Sequence, residues 1–491
     1  MRVLLVCPPW GRLFGGGMGD IPLGVGYLSA VLKKSGIEVN TYNADYNKSV
    51  HYEQSDYIKN VDRYLEVQRD PHHPIWQEVK RVVSSFHPDI VGINAMTPKI
   101  MSAMNVARVC KAIDPNSTIV IGGPHASCLP EDIVQNEHVD FVARGEGEYT
   151  FLDLVKALES GDDPKRLPGL TFKANGNVMS NPDRPLIENL DEVPFPFREF
   201  YISEKETCVP TYEGVLFATR GCPSRCIFCS SHRVWTRKVR YRSPENVVAE
   251  MEYLKAKYGL RYMRFDDDSF TLNKNFVMRI CDLMIRREVN VDWWCSTRAD
   301  AVSRELLMKM RESGCMKINL GVESGNEETL RKIRKGVTRE EIRKAFEIAR
   351  ELGIYAGAYI MIGFPWETRA HMLETVRFTT EVRPNMITIS IVTPYPGTEL
   401  FDMSKDLGLL PSDLRFETLL HQSPSIVPVA MSKEEFYGTS KEMIEMVEEY
   451  NRKQRISKLR DFAYMTKIMK RYRRNPGLLL NVGKRLIRKV R

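Results

Sequence analysis

Two successive runs of strand–helix alternation, separated by a proline-rich stretch, constrain the fold of this 491-residue chain more than any other feature. In the first run, Arg2–Val6, Glu38–Tyr42, Ile90–Ile93, Thr118–Ile121 and Phe141–Val142 read as strands. Helical periodicity over Pro22–Lys34, Trp76–Phe86, Met101–Ile113 and Tyr149–Leu158 falls between them. Such alternation predicts an α/β unit over residues 1–160, built on an open, mostly parallel sheet. Ligands of such sheets bind beyond the carboxyl ends of the strands. The loops there are Pro8–Gly11, Asn94–Pro98, Gly122–Ala126 and Arg144–Glu148, and four loops in register favour a ligand over simple strand termination.

Residues 161–205, with Leu167–Pro196 at their centre, read as a linker carrying the strand-like pieces Gly169–Phe172 and Val178–Ser180. The second alternation has strands at Val215–Thr219, Tyr262–Phe265, Asp292–Cys295, Met316–Gly321, Tyr355–Ile362 and Met386–Ile391. Helices fall between them at Pro244–Lys257, Asn275–Arg286, Arg304–Ser313, Arg339–Leu352 and Arg369–Glu381. Six β/α units predict a partial (β/α)6 barrel over residues 206–430, with its chemistry at the strand C-terminal ends. Residues 431–491 form a basic helical extension that opens on the capping-box pattern Ser432–Glu435.

The charge is unevenly placed. Arg452–Arg491 holds fifteen Lys/Arg and one acid, leaving −6 on the rest of a chain whose total is +8. The body is therefore not a nucleic-acid binder by charge, and the tail has few aromatics and no nucleic-acid motif. In Gly477–Arg491, Leu479, Leu486 and Val490 share a face among basic residues, which fits either an anionic membrane surface or a solvated face. No apolar run reaches the ~18 residues that span a bilayer. The N-terminus lacks a secretory pattern, so the expected location is cytoplasmic, with peripheral contact at the inner membrane surface as the tail's alternative.

Ten cysteines are too sparse for a disulfide scaffold. Three of them, Cys222, Cys226 and Cys229, sit together at spacing Cys-x3-Cys-x2-Cys just after the first barrel strand. With His232 they could form a zinc site. Alone they could hold a four-iron cluster with one iron open to a ligand. Spacing does not decide between the two.

The motif Cys222-x3-Cys226-x-Phe228-Cys229 resembles the signature of the radical S-adenosylmethionine (SAM) superfamily. Phe265–Phe270, Gly321–Gly325, Ile362–Thr368 and Thr393–Thr398 follow in that family's order. Ahead of the barrel, Pro22–Leu28, Gly122–His125 and Arg144–Glu148 resemble the Rossmann-like cobalamin-binding domain of the B12-dependent branch. The resemblance covers about residues 1–430. The Asp-x-His-x-x-Gly segment that supplies histidine to cobalt in other B12 proteins is absent after the first strand.

This resemblance implies that Cys222, Cys226 and Cys229 bind three irons of a [4Fe-4S] cluster and that SAM chelates the fourth. It places Phe228, Asp267, Glu323, Gly363 and Pro365 around SAM. Core packing is the alternative for Phe228, a salt bridge with Arg298 for Glu323, and a plain turn for Gly363 and Pro365. Of Asp266, Asp267 and Asp268, at least one should face the cavity. Lys335–Gly336 should end a helix or meet a phosphate or carboxylate. Trp10, Asn94, Met96, Thr97, Gly122, Gly123, Pro124 and His125 are the candidate cobalamin contacts. His125 is not assigned to cobalt, Trp10 could equally pack the domain interface, and Arg144 and Glu146 could form an interdomain ion pair.

The implied function is reductive cleavage of SAM to a 5′-deoxyadenosyl radical by a cobalamin-dependent methyltransferase acting on an unactivated carbon. An oxidative cyclase of the anaerobic Mg-protoporphyrin monomethyl ester type is the alternative, and a zinc-stabilised binding protein is a third reading. The implied partners are a small-molecule substrate, with lipids or tetrapyrroles fitting the basic tail, and an electron donor such as flavodoxin or ferredoxin.

Overall fold

Short β-branched runs ended by Gly, Pro or Asn become parallel strands, and a computed structural model describes them within residues 1–16, 21–47, 60–421 and 424–460. The first sheet holds β1 (Arg2–Cys7), β2 (Glu38–Asn43), β3 (Ile90–Asn94), β4 (Thr118–Gly122) and β5 (Phe141–Ala143). To these it adds β6 (Leu170–Ala174), β7 (Asn177–Ser180), β8 (Phe200–Tyr201) and β9 (Thr207–Cys208). The spatial order is β7-β6-β5-β4-β3-β1-β2-β8-β9. Along β1, Val3 and Leu5 enter one core while Leu4 and Val6 enter the other. Burial on both faces is what near-continuous apolar strands in a parallel sheet require.

The stretch 161–205, read as a linker, instead extends this sheet. β6 pairs antiparallel with β5, and β7 with β6. Asn175 and Gly176 both take positive φ, +52° and +80°, as a two-residue hairpin turn needs. At the other edge, β8 pairs with β2.

The second sheet contains β10 (Gly214–Leu216), β13 (Tyr262–Phe265), β14 (Asp292–Thr297), β15 (Cys315–Glu323), β16 (Tyr355–Ile362) and β17 (Met386–Ile391). These six are parallel and lie in that spatial order, as a partial barrel should. The expected first strand Val215–Thr219 splits. Its end becomes β11 (Thr219–Arg220), paired antiparallel with β12 (Arg240–Tyr241). Alternate residues of the barrel strands, such as Met263, Phe265, Trp293, Cys295, Ile318 and Leu320, pack against the surrounding helices. The others line a half-exposed concave face.

The helices start where side chains cap them: Ser243, Asn273, Ser303, Thr338 and Thr368 each accept a bond from a first-turn N–H. Ser432 does the same for the Glu435 N–H, opening the long helix Lys433–Arg460. Phe436, Met443 and Val447 of that helix join the barrel core. Asn451 bonds both the N–H and the carbonyl of Ile387 on β17, each at 2.8 Å. No helix among the described residues is long and apolar enough to cross a membrane. The amphipathic reading of Gly477–Arg491 falls outside the described residues.

Candidate active site

The three clustered cysteines occupy the loop that leaves β11. Its geometry depends on Gly221, which has φ +98° and whose Cβ, if it had one, would lie 2.3 Å from the Lys238 carbonyl. Beyond it the loop is clamped at Ile227. The Ile227 N–H bonds the Ile333 carbonyl at 3.2 Å, and its carbonyl accepts from the Leu400 N–H at 3.0 Å. The Cys229 N–H closes a turn on the Cys226 carbonyl at 3.2 Å. All three thiols are free and half-buried. Burial raises Cys226, with Lys335 and Arg298 acting against it, and raises Cys229 to about 11.

Among the described residues no three His, Cys, Asp or Glu side chains are already gathered in metal-binding geometry. The donor chemistry nevertheless fits an iron–sulfur cluster, because three free thiols share one short loop and Lys335 and Arg298, from other elements, act against burial at Cys226. His232 turns Nδ1 onto the Cys229 carbonyl, 3.2 Å away.

Glu323 stands at the end of β15 with φ +61°. Its ion pair is with Lys335, 2.7 Å away and nearly buried, and not with Arg298. Arg298 instead pairs with Asp300 and donates to Ser224 Oγ at 3.1 Å. Lys335 therefore meets a carboxylate, as one sequence reading allowed. Glu323 and Cys226 hold its ammonium above the ordinary lysine value against the opposing effect of burial.

Asp267, expected at SAM, is committed to the backbone that leads into the cysteine loop. Only 4% exposed, it accepts bonds from the Ala218 N–H and from the N–H and hydroxyl of Thr219. Burial still raises its carboxyl to about 6. It anchors the strand break between β10 and β11, while Asp268 bonds Ser231 and Asp266 pairs with Arg264 at 3.0 Å. Period two accounts for this: Asp267 continues the core-facing series Met263 and Phe265.

Phe228 lies near Phe364, ring centroids 6.3 Å apart, and Phe364 stacks on Trp366. Gly363 has φ +92°, and a Cβ there would strike the Phe436 ring at 2.6 Å. The Pro365 carbonyl accepts from the Val429 N–H at 2.9 Å. Glu367, which the sequence reading passed over, shapes this loop. It accepts from the N–H groups of Gly363 (2.8 Å) and Phe364 (3.1 Å) and from the Thr329 hydroxyl (3.3 Å).

Burial pushes Glu367 up from 4.5 to about 7 against those bonds. The folded chain thus holds a proton that the unfolded chain releases between about pH 4.5 and 7, so this group's contribution to stability falls as pH rises through that window. Glu367→Gln is expected to flatten that dependence by up to about 3 kcal/mol, the variant gaining on the wild type from pH 5 to pH 8. Denaturant unfolding at both pH values checks this, and parallel curves for the two proteins would refute it.

A cavity of about 480 Å³ separates the carboxyl edge of the first sheet from the barrel. Asn94, Met96, Gly122, Gly123 and Pro124 line it as expected. Trp10, Thr97 and His125 do not belong to that lining. Trp10 packs edge-on against Phe14, and its backbone N–H donates to Asp45 Oδ1 at 2.8 Å. His125 is 2% exposed, bonded to Thr97 Oγ1 at 3.1 Å and set against Phe416, and burial lowers it to about 4. The barrel contributes Phe217, Arg220 and Trp235, which flank the cysteine loop and which sequence reasoning missed.

Arg220 also closes the domain interface. It meets Glu146 at 2.8 Å and Glu148 at 2.6 Å, and lies over the Tyr27 ring. Arg240 reaches the other oxygen of Glu146 at 2.7 Å, and the Ile187 N–H donates to the same carboxylate. The proposed interdomain pair therefore involves Glu146 but not Arg144, which turns to Asp183 and the Asn181 carbonyl.

Comparison with known proteins matches this architecture at both ends. The radical SAM superfamily model fits residues 216–379 and the B12 binding domain model residues 20–155. An uncharacterised methyltransferase of Pyrococcus horikoshii is 34% identical over 414 residues, 84% of each chain. The anaerobic magnesium-protoporphyrin IX monomethyl ester cyclase of Rubrivivax gelatinosus is 30% identical over 367 residues, 73% of this chain and 65% of the cyclase. This chain thus spans just under two thirds of that relative. The radical SAM methyltransferase TsrM from Kitasatospora setae, solved with tryptophan substrate and a SAM analogue, superposes with a TM-score of 0.69 at 16% identity. The match covers 91% of this chain and 89% of TsrM, and at that identity the likeness is one of fold.

Proposed function

The chain belongs to the radical SAM superfamily, in the branch with a B12-binding domain ahead of the barrel, and on that premise we propose that it is a cobalamin-dependent methyltransferase acting on an unactivated carbon. In this reading Cys222, Cys226 and Cys229 would hold the [4Fe-4S] cluster. Phe228, Glu323, Gly363 and Pro365 would surround SAM, and Asn94, Met96 and Gly122–Pro124 would contact cobalamin. When bound, these cofactors supply one-electron cleavage of SAM and a transferable methyl group. The chain's own residues position and seal. Glu367 fixes the Gly363–Phe364 turn, Lys335 steadies Glu323, and Arg220 locks the two domains around the cavity.

The observation that carries the reading is the cavity itself. One wall comes from the B12-type loops and the other from Phe217, Arg220 and Trp235, on either side of the cysteine loop. The test is an anaerobic reaction of iron-reconstituted protein with SAM, cobalamin, a strong chemical reductant and candidate-substrate extract, followed by mass spectrometry. S-adenosylhomocysteine together with 5′-deoxyadenosine, both dependent on cobalamin, is the expected result. Deoxyadenosine without S-adenosylhomocysteine would favour the cyclase reading, to which the Rubrivivax relative lends weight. Neither product, with zinc in the protein, would overturn both. Replacing the chemical reductant by reduced flavodoxin or ferredoxin tests the electron donor, and no product under that substitution would remove both from the proposal.

A further inference from the structure

A row of side chains crosses four neighbouring barrel strands in register: Arg264 on β13, Trp294 on β14, Lys317 on β15 and Tyr355 on β16. They lie on the concave face, opposite the helix-packed Met263, Trp293, Ile318 and Ala356. Three members of the row have polar partners. Arg264 pairs with Glu213 and Asp266, each at 3.0 Å, the Trp294 indole N–H donates to Glu213 at 2.5 Å, and the Tyr355 hydroxyl reaches the Asn385 carbonyl.

Lys317 differs. Its ammonium lies 4.4 Å from the Trp294 ring centroid and 5.7 Å from that of Tyr355. Among the described residues it has neither a carboxylate within ion-pair distance nor a hydrogen-bond acceptor. Burial and the nearby Arg264 hold it below the ordinary lysine value, although Glu213 opposes them from a distance. A partly desolvated ammonium without an acceptor is costly, and a ligand oxyanion would restore its missing bonds.

Above this row the glycines make room for neighbouring side chains: Asn319 Oδ1 lies 2.4 Å from where a Cβ of Gly357 would be, and Glu323 Oε1 and Lys335 Nζ lie 2.5 and 2.7 Å from that of Gly321. Arg264, with Asp266 beside it, also lines the interdomain cavity, so the row meets that cavity at its β13 end. We propose that this concave floor is the substrate's anchor: Lys317 pairs with an anionic oxygen group, a carboxylate or phosphate monoester, while the adjoining organic body lies against Trp294 and Tyr355. The inference rests on the methyltransferase reading for its substrate, but not for the existence of the anion site.

Calorimetry on the full-length, anaerobically reconstituted protein tests it with three probes: benzoate, phenyl phosphate and the neutral benzamide. At least one anion is expected to bind about tenfold or more tightly than benzamide, and the tighter anion names the source of the oxyanion. Lys317→Met should remove that preference and Lys317→Arg should largely keep it. Equal affinities for all three probes in the wild type overturn the proposal without any variant, as does a preference that survives Lys317→Met. Iron and cobalamin bound by the same wild-type preparation are read from its absorbance. Their absence would defeat the proposed function while the probe comparison still decides the role of Lys317.

Discussion

A Cys226→Ala variant, reconstituted anaerobically, is expected to lack iron–sulfur absorbance and to lose about a thousandfold or more in SAM cleavage, equivalent to roughly 4 kcal/mol of barrier. Only three thiols share the loop, and they sit on the clamp made by Ile333, Ile227 and Leu400, so no neighbour can replace a lost sulfur. Gly221→Ala should produce the same loss by another route, leaving all three thiols in place. Its methyl group would collide with the Lys238 carbonyl at 2.3 Å in a backbone conformation that L-residues rarely adopt. Cys295→Ala supplies the contrast: that thiol is fully buried in the barrel core, so its loss should lower stability yet spare the absorbance. Full absorbance in Cys226→Ala would disprove the cluster assignment.

The second large effect is one of stability. Arg220→Met strands Glu148 and takes from Glu146 one of its two arginines in a buried interface, and removing one partner of such a network costs about 3–5 kcal/mol. Against burial, Arg240 and Arg220 hold the Glu146 carboxyl below its ordinary value. Its contribution is therefore present above the unfolded carboxylate range and is lost as pH falls below about 4.5. Differential scanning calorimetry should find the Arg220→Met transition well below that of the wild type. Adding Glu148→Gln should recover much of the loss, since Arg240 keeps its pair with Glu146 and no unpaired carboxylate is left buried. An unchanged transition in Arg220→Met would mean that solvent reaches the carboxylates.

Local signals carried most of the secondary structure. Strands β13, β16 and β17 and the helix Arg369–Glu381 fall where apolar period and capping residues put them. The Asn175-Gly176 turn is equally legible, although the surrounding prolines point to a linker. Period two, carried one residue past Phe265, would have turned Asp267 into the core and left Asp266 on the concave face. Partner choice was not legible. Glu146 and Arg220 stand 74 residues apart, and both Arg298 and Lys335 were available to Glu323. Which cation reaches a carboxylate depends on how loops converge after folding, and spacing along the chain carries no record of that. The same holds for Lys317, whose isolation emerges only when Trp294 and Tyr355 are set beside it.

The paired bonds from Asn451 to Ile387 have a further consequence. An open barrel ends in an outer strand whose peptide groups could recruit another chain and seed aggregation. On β17 the carboxamide of Asn451 meets one of those peptide units as a neighbouring strand would, satisfying both its donor and its acceptor. The helix that carries Asn451 also presses Phe436 toward Gly363, so edge protection and the wall of the proposed SAM pocket rest on a single element. A chain shortened to end before Asn451 would bare that strand to other copies, whereas one ending after Arg460 would keep the guard in place.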